Sequence, residues 1–393
     1  MSREDNPVSG RRLPHVSLQT TQETSLGQGW ISGVLSVFFG VLGLGAVLCF
    51  YFPERLTMPE LRSKYPLAYI RGLIQLVLIA SFLLGSVSLG LRYNKALGLV
   101  GLALTLAAAL LGGSQARVAT NSGEPPLFGL SLDWFLLNLI LYSAVYVPLE
   151  RRFALHPEQP VFRRGWRTDL TYFFVNTLFI QLLSVMTLRP AMVLFDWARL
   201  DVVTGLVSDL PFVVQLIALL LVADLTQYWV HRAFHQIPLL WRFHAIHHSA
   251  ESMDWLAGSR LHVVDAVVTR GATYVPIYIL GFSEAAFFTY LGIVVVQATF
   301  IHANVRWEFS RWQWLLATPC FHHWHHSAEA EAVDKNFAVH TPIWDRLFGT
   351  YYLPGRWPRA YGLAHGKSVP AGWPRQFVYP FQDASRDNES LQG

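Results

Sequence analysis

Charge is what this chain has least of. Asp, Glu, Lys and Arg make up 14% of its 393 residues, against about 25% in soluble domains. With a net charge of only +4, no nucleic-acid partner is expected. Cysteine is scarcer still. Cys49 lies inside an apolar run and Cys320 beside a histidine cluster, which excludes a disulfide framework. Also missing are a Cys-x-x-Cys-His haem attachment, a Gly-rich nucleotide loop, the His-Glu-x-x-His of zinc proteases and the Glu-x-x-His of soluble di-iron bundles. Nothing resembles a fused electron-transfer domain. The first apolar run begins at residue 30, lacks a small-residue cleavage site and is too long for a signal-peptide core, so no cleavable targeting signal is expected. Four of the 30 basic residues are Lys, a bias of GC-rich bacterial genomes.

Hydrocarbon fills the space that charge leaves. Trp30–Phe52, Leu67–Leu91, Ala96–Gly112, Leu127–Val147, Leu170–Leu188 and Phe212–Val230 each approach the roughly 17–25 residues of a membrane helix. A seventh stretch, Gly271–Ile301, is broken by Pro276 and by Gly281–Glu284; neither half spans comfortably, so it reads as a tight hairpin of short helices. The tail 1–29 (Arg3, Arg11, Arg12), the link Arg92–Lys95 and the segment 149–169 (Arg151, Arg152, Arg163, Arg164, Arg167) hold ten basic residues. The alternate side holds five: Arg55, Arg62, Lys64, Arg117 and Arg199. The positive-inside rule puts the first set in the cytoplasm. The expected fold is all-α, a polytopic membrane helical bundle of a bacterial inner membrane under a cytoplasmic histidine-rich di-metal cap. Its expected parts are a polar cytoplasmic tail 1–29, an N-terminal transmembrane module 30–125 of about three helices, a second domain 126–360 and a C-terminal tail 361–393. The polar ends, 1–29 and roughly 383–393, read as disordered.

Twelve of the fifteen histidines fall between His231 and His340. Nine form three clusters: His231-Arg-Ala-Phe-His235, His244-Ala-Ile-His247-His248 and His322-His323-Trp-His325-His326. Imidazole is the commonest metal ligand and suits iron, zinc, copper and nickel. His231 and His235 stand at i, i+4 and stack on one helical face. His244 pairs with His247 and His248, and His322 with His325 and His326, at i+3 and i+4. Pro238 and Pro319 can open the helices that carry these triplets, with Thr318 as a cap. So many donors point to two metals close together. His262 and His302 stand alone, and a lone histidine is more often a hydrogen-bonded core residue. Each, however, sits where a flank of the broken hairpin re-enters the histidine-rich region, which makes both ligand candidates. His323 is out of phase with its neighbours and reads as exposed or supporting. His15, His156, His340 and His365 read as ordinary.

The segments Asp224–His235, Leu240–Ser249, Arg260–His262, Phe300–Asn304, Thr318–Ser327 and Trp344–Thr350 resemble, in order, the signatures of the fatty acid hydroxylase/sterol desaturase superfamily. The resemblance runs from about residue 130 to 355. It implies an integral-membrane, non-haem di-iron enzyme that uses O₂ and two electrons to hydroxylate or desaturate a lipid (a sterol, fatty acyl chain or related molecule). Carried over by position, it makes His231, His235, His244, His247, His248, His322, His325 and His326 ligands of two Fe ions, with Zn possible in the isolated protein. His262 and His302 fill places where the family often has further ligands. Ala298 stands where some members have another histidine, so one metal is a ligand short unless His262 compensates. Residues 1–125 have no counterpart in the family core. The implied partners are the lipid substrate, the membrane and an electron donor of ferredoxin or cytochrome b5 type with its reductase. The basic segment Arg151–Arg167 is a candidate docking surface for such acidic carriers.

A ligating histidine usually donates its other N–H to a carboxylate or carbonyl, which fixes the tautomer. Asp224, seven residues before His231, lies on the same helical face, where an intramembrane carboxylate is costly and by default functional. Asp254, Arg260, Asn336 and Asp345 are the other expected supports, with Asp265 and Asp334 as further candidates. No catalytic residue separate from the metal ligands is expected. The competing reading is a membrane zinc metallohydrolase or isomerase using the same cage. A transporter is disfavoured, because the clusters sit beyond helix ends rather than along several helices at the bilayer midplane.

Overall fold

The computed structural model describes residues 29–91, 95–119, 129–309, 311–364 and 368–382. Arg3, Arg11, Arg12, His15, Arg92, His365 and the C-terminal residues from 383 lie outside the described residues. Those described are helical, with no strand beyond one isolated bridge, Ser327 to Tyr361. The principal helices are α1 (Trp30–Tyr51), α2 (Leu67–Leu91), α3 (Ala96–Leu110), α4 (Leu132–Phe153), α5 (Trp166–Leu178), α6 (Ile180–Phe195), α7 (Phe212–Gln236), α8 (Pro238–His248), α9 (Val263–Leu280), α10 (Glu284–Phe300) and α11 (Pro319–His325).

Six of them are long and apolar enough to cross a membrane: α1, α2, α3 with the turn that follows it, α4, α7 and α9. Two expectations need correction. The run 170–188 is not one straight helix: α5 and α6 meet at a 59° bend, because Phe179 (φ −95°, ψ 20°) leaves the helical region. The broken run 271–301 is not a pair of half-length helices. The first begins at Val263 and passes through Pro276, giving 18 residues, or about 27 Å at about 1.5 Å per residue. The break falls instead at Gly281, whose φ of +71° ends α9. A Cβ there would also meet Thr204 Cβ at 2.7 Å. Ser283 then caps α10 by accepting from Ala286 N–H.

The chain divides into two compact units. Met1–Val47 and Leu67–Ala116 form one, built from most of α1 with α2 and α3. Small residues let these helices meet. Ser36 and Ser81 each donate to the other's carbonyl at 2.7 Å, and Thr105 donates to Ser81 Oγ. A Cβ on Gly101 would fall 2.0 Å from Ser36 Oγ. This is how helices associate in lipid, where close backbone approach and interhelical hydrogen bonds replace the hydrophobic effect. Leu48–Pro66 and Arg117–Gly393 form the other unit. Around α7, Leu219 and Ala223 pack with Ile277 of α9 and with Ala286 and Tyr290 of α10. That packing fixes where the end of α7, with His231 and His235, emerges.

Candidate metal centre

Helical rotation sorts the histidines. At about 100° per residue, position i+4 lies about 40° round from i, and i+3 about 60° the other way. A His-x-x-His-His triplet therefore sends its outer pair to one side and its middle member to another. Among the described residues two donor groups form accordingly. His231, His235, His244, His248 and His325 bring ligand atoms within 4.8 Å of one another, and so do His247, His302, His322 and His326. On α8, His244 and His248 join the first group and His247 the second; around α11, His322 and His326 join the second and His325 the first. The groups adjoin, with the His248 and His326 rings stacked at 4.5 Å. Pro238 at the first turn of α8, and Thr318 capping α11 ahead of Pro319, set where the triplets begin.

The outer hydrogen bonds fix which nitrogen faces inward. His231 Nδ1 donates to Phe337 O at 2.7 Å and His244 Nδ1 to Asp265 Oδ2 at 2.6 Å. His247 Nδ1 donates to Arg260 O, His302 Nδ1 to Ala298 O, His325 Nδ1 to Lys335 O and His235 Nδ1 to Asp334 Oδ1. A neutral imidazole has one N–H, so these rings turn bare Nε2 lone pairs toward each other. His231 and His244 Nε2 stand 2.9 Å apart, and His247 and His302 Nε2 3.3 Å apart. Two lone pairs at that distance repel unless a cation lies between them, and two donors on one metal at about 2.0–2.1 Å stand roughly 3 Å apart. His322 Nε2 completes the second group, 3.0 Å from His302 Nε2 and 3.1 Å from His326 Nε2. Nε2 of His235, His248 and His325 is buried without a hydrogen-bond partner. The donor set fits a pair of transition-metal ions. Burial first, then the neighbouring imidazoles, holds His247, His248, His322, His325 and His326 well below the ordinary histidine value, and burial brings His302 down to about 4. They stay neutral at physiological pH, with lone pairs available.

Buried carboxylates hold the scaffold in place. Asp224 does not touch His231. Its Oδ1 accepts from Val339 and His340 N–H and its Oδ2 from Thr341 N–H. Asp345 accepts from Phe337 and Ala338 N–H and from Thr350 Oγ1. Asn336, in the left-handed region at φ 59°, donates to Phe321 O and Tyr352 O. Together they strap down residues 335–341 and aim the Lys335 and Phe337 carbonyls at His325 and His231. Asp254 and Arg260 belong to a second network. Arg163 bridges Asp254 and Asp169, and Asp169 holds Arg260, whose carbonyl meets His247. Glu150 accepts from Trp255 and Asn304 N–H and ties the His302 loop to α4.

Some expectations are overturned. His262 joins neither group: its Nδ1 caps α9 by accepting from Val264 N–H, and its Nε2 meets Phe377 O. Both ring nitrogens are occupied locally, so it does not compensate for Ala298. Of the two roles expected for His323, exposed or supporting, exposure fails: it is fully buried, against Tyr361 OH at 3.0 Å and the Trp357 ring, and it joins neither group. Arg163 is a buried ion-pair partner and not part of a docking surface, whereas Arg164 is 92% exposed. Sequence reasoning missed Asp169, Glu150, the four carbonyls and Gly258, which lies so close to His302 that a Cβ on it would stand 2.9 Å from Nδ1. A carbonyl has no side-chain signature, although Asp334 and Asn336, both left-handed, flank Lys335 as turn formers do.

Residues 216–350, which contain all nine grouped histidines, match the family model for fatty acid hydroxylases. They form a fatty acid hydroxylase domain. This is the superfamily that the spacing of the histidines resembles. The chain is also similar to curated relatives. An ornithine lipid hydroxylase of Rhizobium tropici is 29% identical over 176 residues, 45% of this chain and 53% of the relative. An alkylglycerol monooxygenase of Danio rerio is 30% identical over 156 residues, 40% of this chain and 34% of the relative. A putative methylsterol monooxygenase of Dictyostelium discoideum is 23% identical over 252 residues, 61% of this chain and 86% of the relative. The chain thus spans about half the length of the first of these relatives and about a third of the second. No solved structure matches the chain.

Proposed function

We propose that this protein is a membrane-bound oxygenase that hydroxylates or desaturates a lipid using O₂ and two electrons from an external carrier. The observation that carries the reading is the pair of adjoining imidazole groups with converging lone pairs, set inside a fatty acid hydroxylase domain. The names of the relatives, each a hydroxylase or monooxygenase of a lipid, agree with it. Two Fe ions are the metals, with Zn possible in isolated protein. His231, His235, His244, His248 and His325 hold one, and His247, His302, His322 and His326 the other. Iron bound there supplies the reduction of O₂: for hydroxylation a C–H bond becomes C–OH, and two electrons with two protons carry the second oxygen to water.

The chain's own residues do the rest. The carbonyls of Ala298, Arg260, Lys335 and Phe337 and the carboxylates of Asp265 and Asp334 keep the protons on Nδ1, which leaves Nε2 free for metal. Asp224, Asp345 and Asn336 hold the carbonyl strap rigid, and Asp169 with Arg163 and Asp254 holds Arg260. Burial of both groups excludes water from the reacting centre. The site faces the cytoplasm of a bacterial inner membrane. Electrons come from a carrier of ferredoxin or cytochrome b5 type with its reductase, steered by the exposed Arg164 and its basic neighbours Arg151, Arg152 and Arg167. The test is oxygen labelling. Iron-loaded protein with lipid and air alone should be inert, and adding carrier and reductase should place ¹⁸O from ¹⁸O₂ in the lipid or yield an alkene with matching O₂ uptake. Lipid turnover with neither reductant nor O₂ would remove the oxygenase class and return the zinc hydrolase.

A further inference from the structure

His262 donates to neither imidazole group, yet it reaches the first of them from outside by two routes. One runs through a helix cap. Its Nδ1 accepts from Val264 N–H at 3.1 Å, which makes His262 the N-cap of α9. Such a cap satisfies a backbone N–H that the first turn of a helix otherwise leaves unpaired. Asp265 is the third residue of that turn. It is buried, its Oδ2 accepts from His244 Nδ1 at 2.6 Å and its Oδ1 accepts from Thr269 Oγ1. A first turn that frays takes Asp265 away from His244. The other route is packing: the His262 ring lies 5.0 Å from the ring of Phe243, the residue before His244. Both routes end at one ligand.

What holds His262 comes from far along the chain. Its Nε2 donates to Phe377 O at 3.1 Å, which is the tautomer that an accepting Nδ1 requires. The Phe377 ring stacks on the imidazole at 5.2 Å, and the Phe381 ring lies at 6.0 Å. Phe381 also packs on Phe243 at 5.4 Å, and Arg242 donates to Gln382 O. The short helix Trp373–Val378, which carries Phe377, is anchored at its start by Trp373 against Tyr172. The segment 373–382 thus closes over the start of α9 and the middle of α8. It lies beyond the family match, which ends at residue 350.

We propose that His262 is a positioning residue for the first metal site, and that the segment 373–382, outside the hydroxylase domain, is the clamp that holds it in place. The proposal rests on the metal-centre reading and gives His262 no bond to metal. Two substitutions separate its routes. His262→Asn keeps a capping acceptor, since Asn is among the best N-caps, and gives up the ring. His262→Leu keeps an apolar side chain between Phe243 and Phe377 and cannot cap. Each purified protein would be loaded with Co²⁺, which imidazole binds, and bound metal per chain and melting temperature measured. Wild type and His262→Asn should hold two equivalents. His262→Leu should keep one and bind the other about 10–100-fold more weakly, the scale of losing a ligand's supporting partner. Phe377→Ala with Phe381→Ala, which strips the rings from the clamp, should weaken the same equivalent. Combined with His231→Ala, a lesion in the same group, His262→Leu should add little; combined with His322→Ala it should leave close to no metal. Loss of both equivalents alike in His262→Leu, loss of neither, or an Asn variant that fails as Leu does overturns the proposal. Where His262→Leu does not fold, the Asn variant and the Phe377/Phe381 pair decide by the same criterion. A wild type that binds no metal removes the metal-centre reading and the proposal with it, whereas failure of the proposal alone leaves the wild type at two equivalents.

Discussion

At the residue scale, two positions that bind nothing themselves govern the centre. Gly258, on the 3₁₀ turn Ala257–Ser259, lies flat against His302: a Cβ would stand 2.9 Å from Nδ1 and 3.0 Å from Cγ of that ring. Gly258→Ala should therefore push His302 out of line while the protein still inserts. Losses at residues supporting a metal ligand run to about 10–100-fold in affinity or activity, and metal retention by purified Gly258→Ala should fall on that scale. Unchanged retention would mean the ring has room the geometry denies it. Asp224 acts through the backbone. Removing its carboxylate leaves three N–H groups without their acceptor, two of them in fully buried hydrogen bonds, and each buried group costs about 1–3 kcal/mol. Asp224→Ala should lower unfolding stability in detergent by about 3 kcal/mol or more, with Asp224→Asn recovering part because an amide oxygen still accepts. An unfolding midpoint unmoved by Asp224→Ala would show that the strap does not depend on it.

At the scale of elements, α8 and α11 each serve both groups, because i, i+3 and i+4 diverge around a helix axis. Neighbours in sequence are then not partners in function. His247→Ala and His322→Ala, far apart in the chain, damage the same group, whereas His247→Ala and His248→Ala damage different ones. The expected result is a pattern of metal stoichiometry. The His247/His322 double variant should retain close to one equivalent of two, and the His247/His248 double variant markedly less. Equal losses in the two doubles would show that the histidines form one undivided cage. His323→Gln should keep both metals, since His323 faces Tyr361 and Trp357 and not the groups.

For the whole molecule, burial of many neutral imidazoles sets a pH dependence. An unfolded histidine binds a proton below about 6.5, whereas His302 in the fold does so only near 4 and the five neighbours named above lie well below 6.5. Below 6.5 the unfolded state therefore holds more protons, and linkage makes stability fall as the pH falls. Metal-free protein should be at full stability above about pH 6.5 and lose it progressively toward pH 4, as read by melting temperature across that window; a flat profile would place the rings in contact with water. Protons also compete with metal, so metal retention should drop in the same direction. Sidedness is the second expectation at this scale. Reporter fusions after residues 29, 160, 250 and 330 should all report cytoplasm, and one near 205 the opposite side. Opposite answers at 250 and 330 would split the histidine clusters across the membrane and end the shared-centre reading.

The sequence by itself located most of the spans and the three clusters, because these are short-range properties, but it paired His244 with His247 and His322 with His325, which the fold sends to different groups. Hydrocarbon length decides what crosses a bilayer, and helical periodicity decides that a His-x-x-His-His triplet faces two ways. Thr318 and Pro319 announced the start of α11 for the same reason, since a cap and a first-turn proline act within one turn. Tertiary structure decided what depends on contacts between distant segments. Lone His302 and lone His262 look alike in sequence, yet the first meets His247 and His322 while the second spends both nitrogens on a helix cap and the Phe377 carbonyl. Arg163 reads as a topology charge until Asp169 and Asp254 close around it. Asp224 is conspicuous in an apolar helix, but its partners lie more than a hundred residues away and are backbone N–H groups, which every residue but proline possesses. Side-chain chemistry is written residue by residue; which backbone group it meets is settled only when the chain has folded.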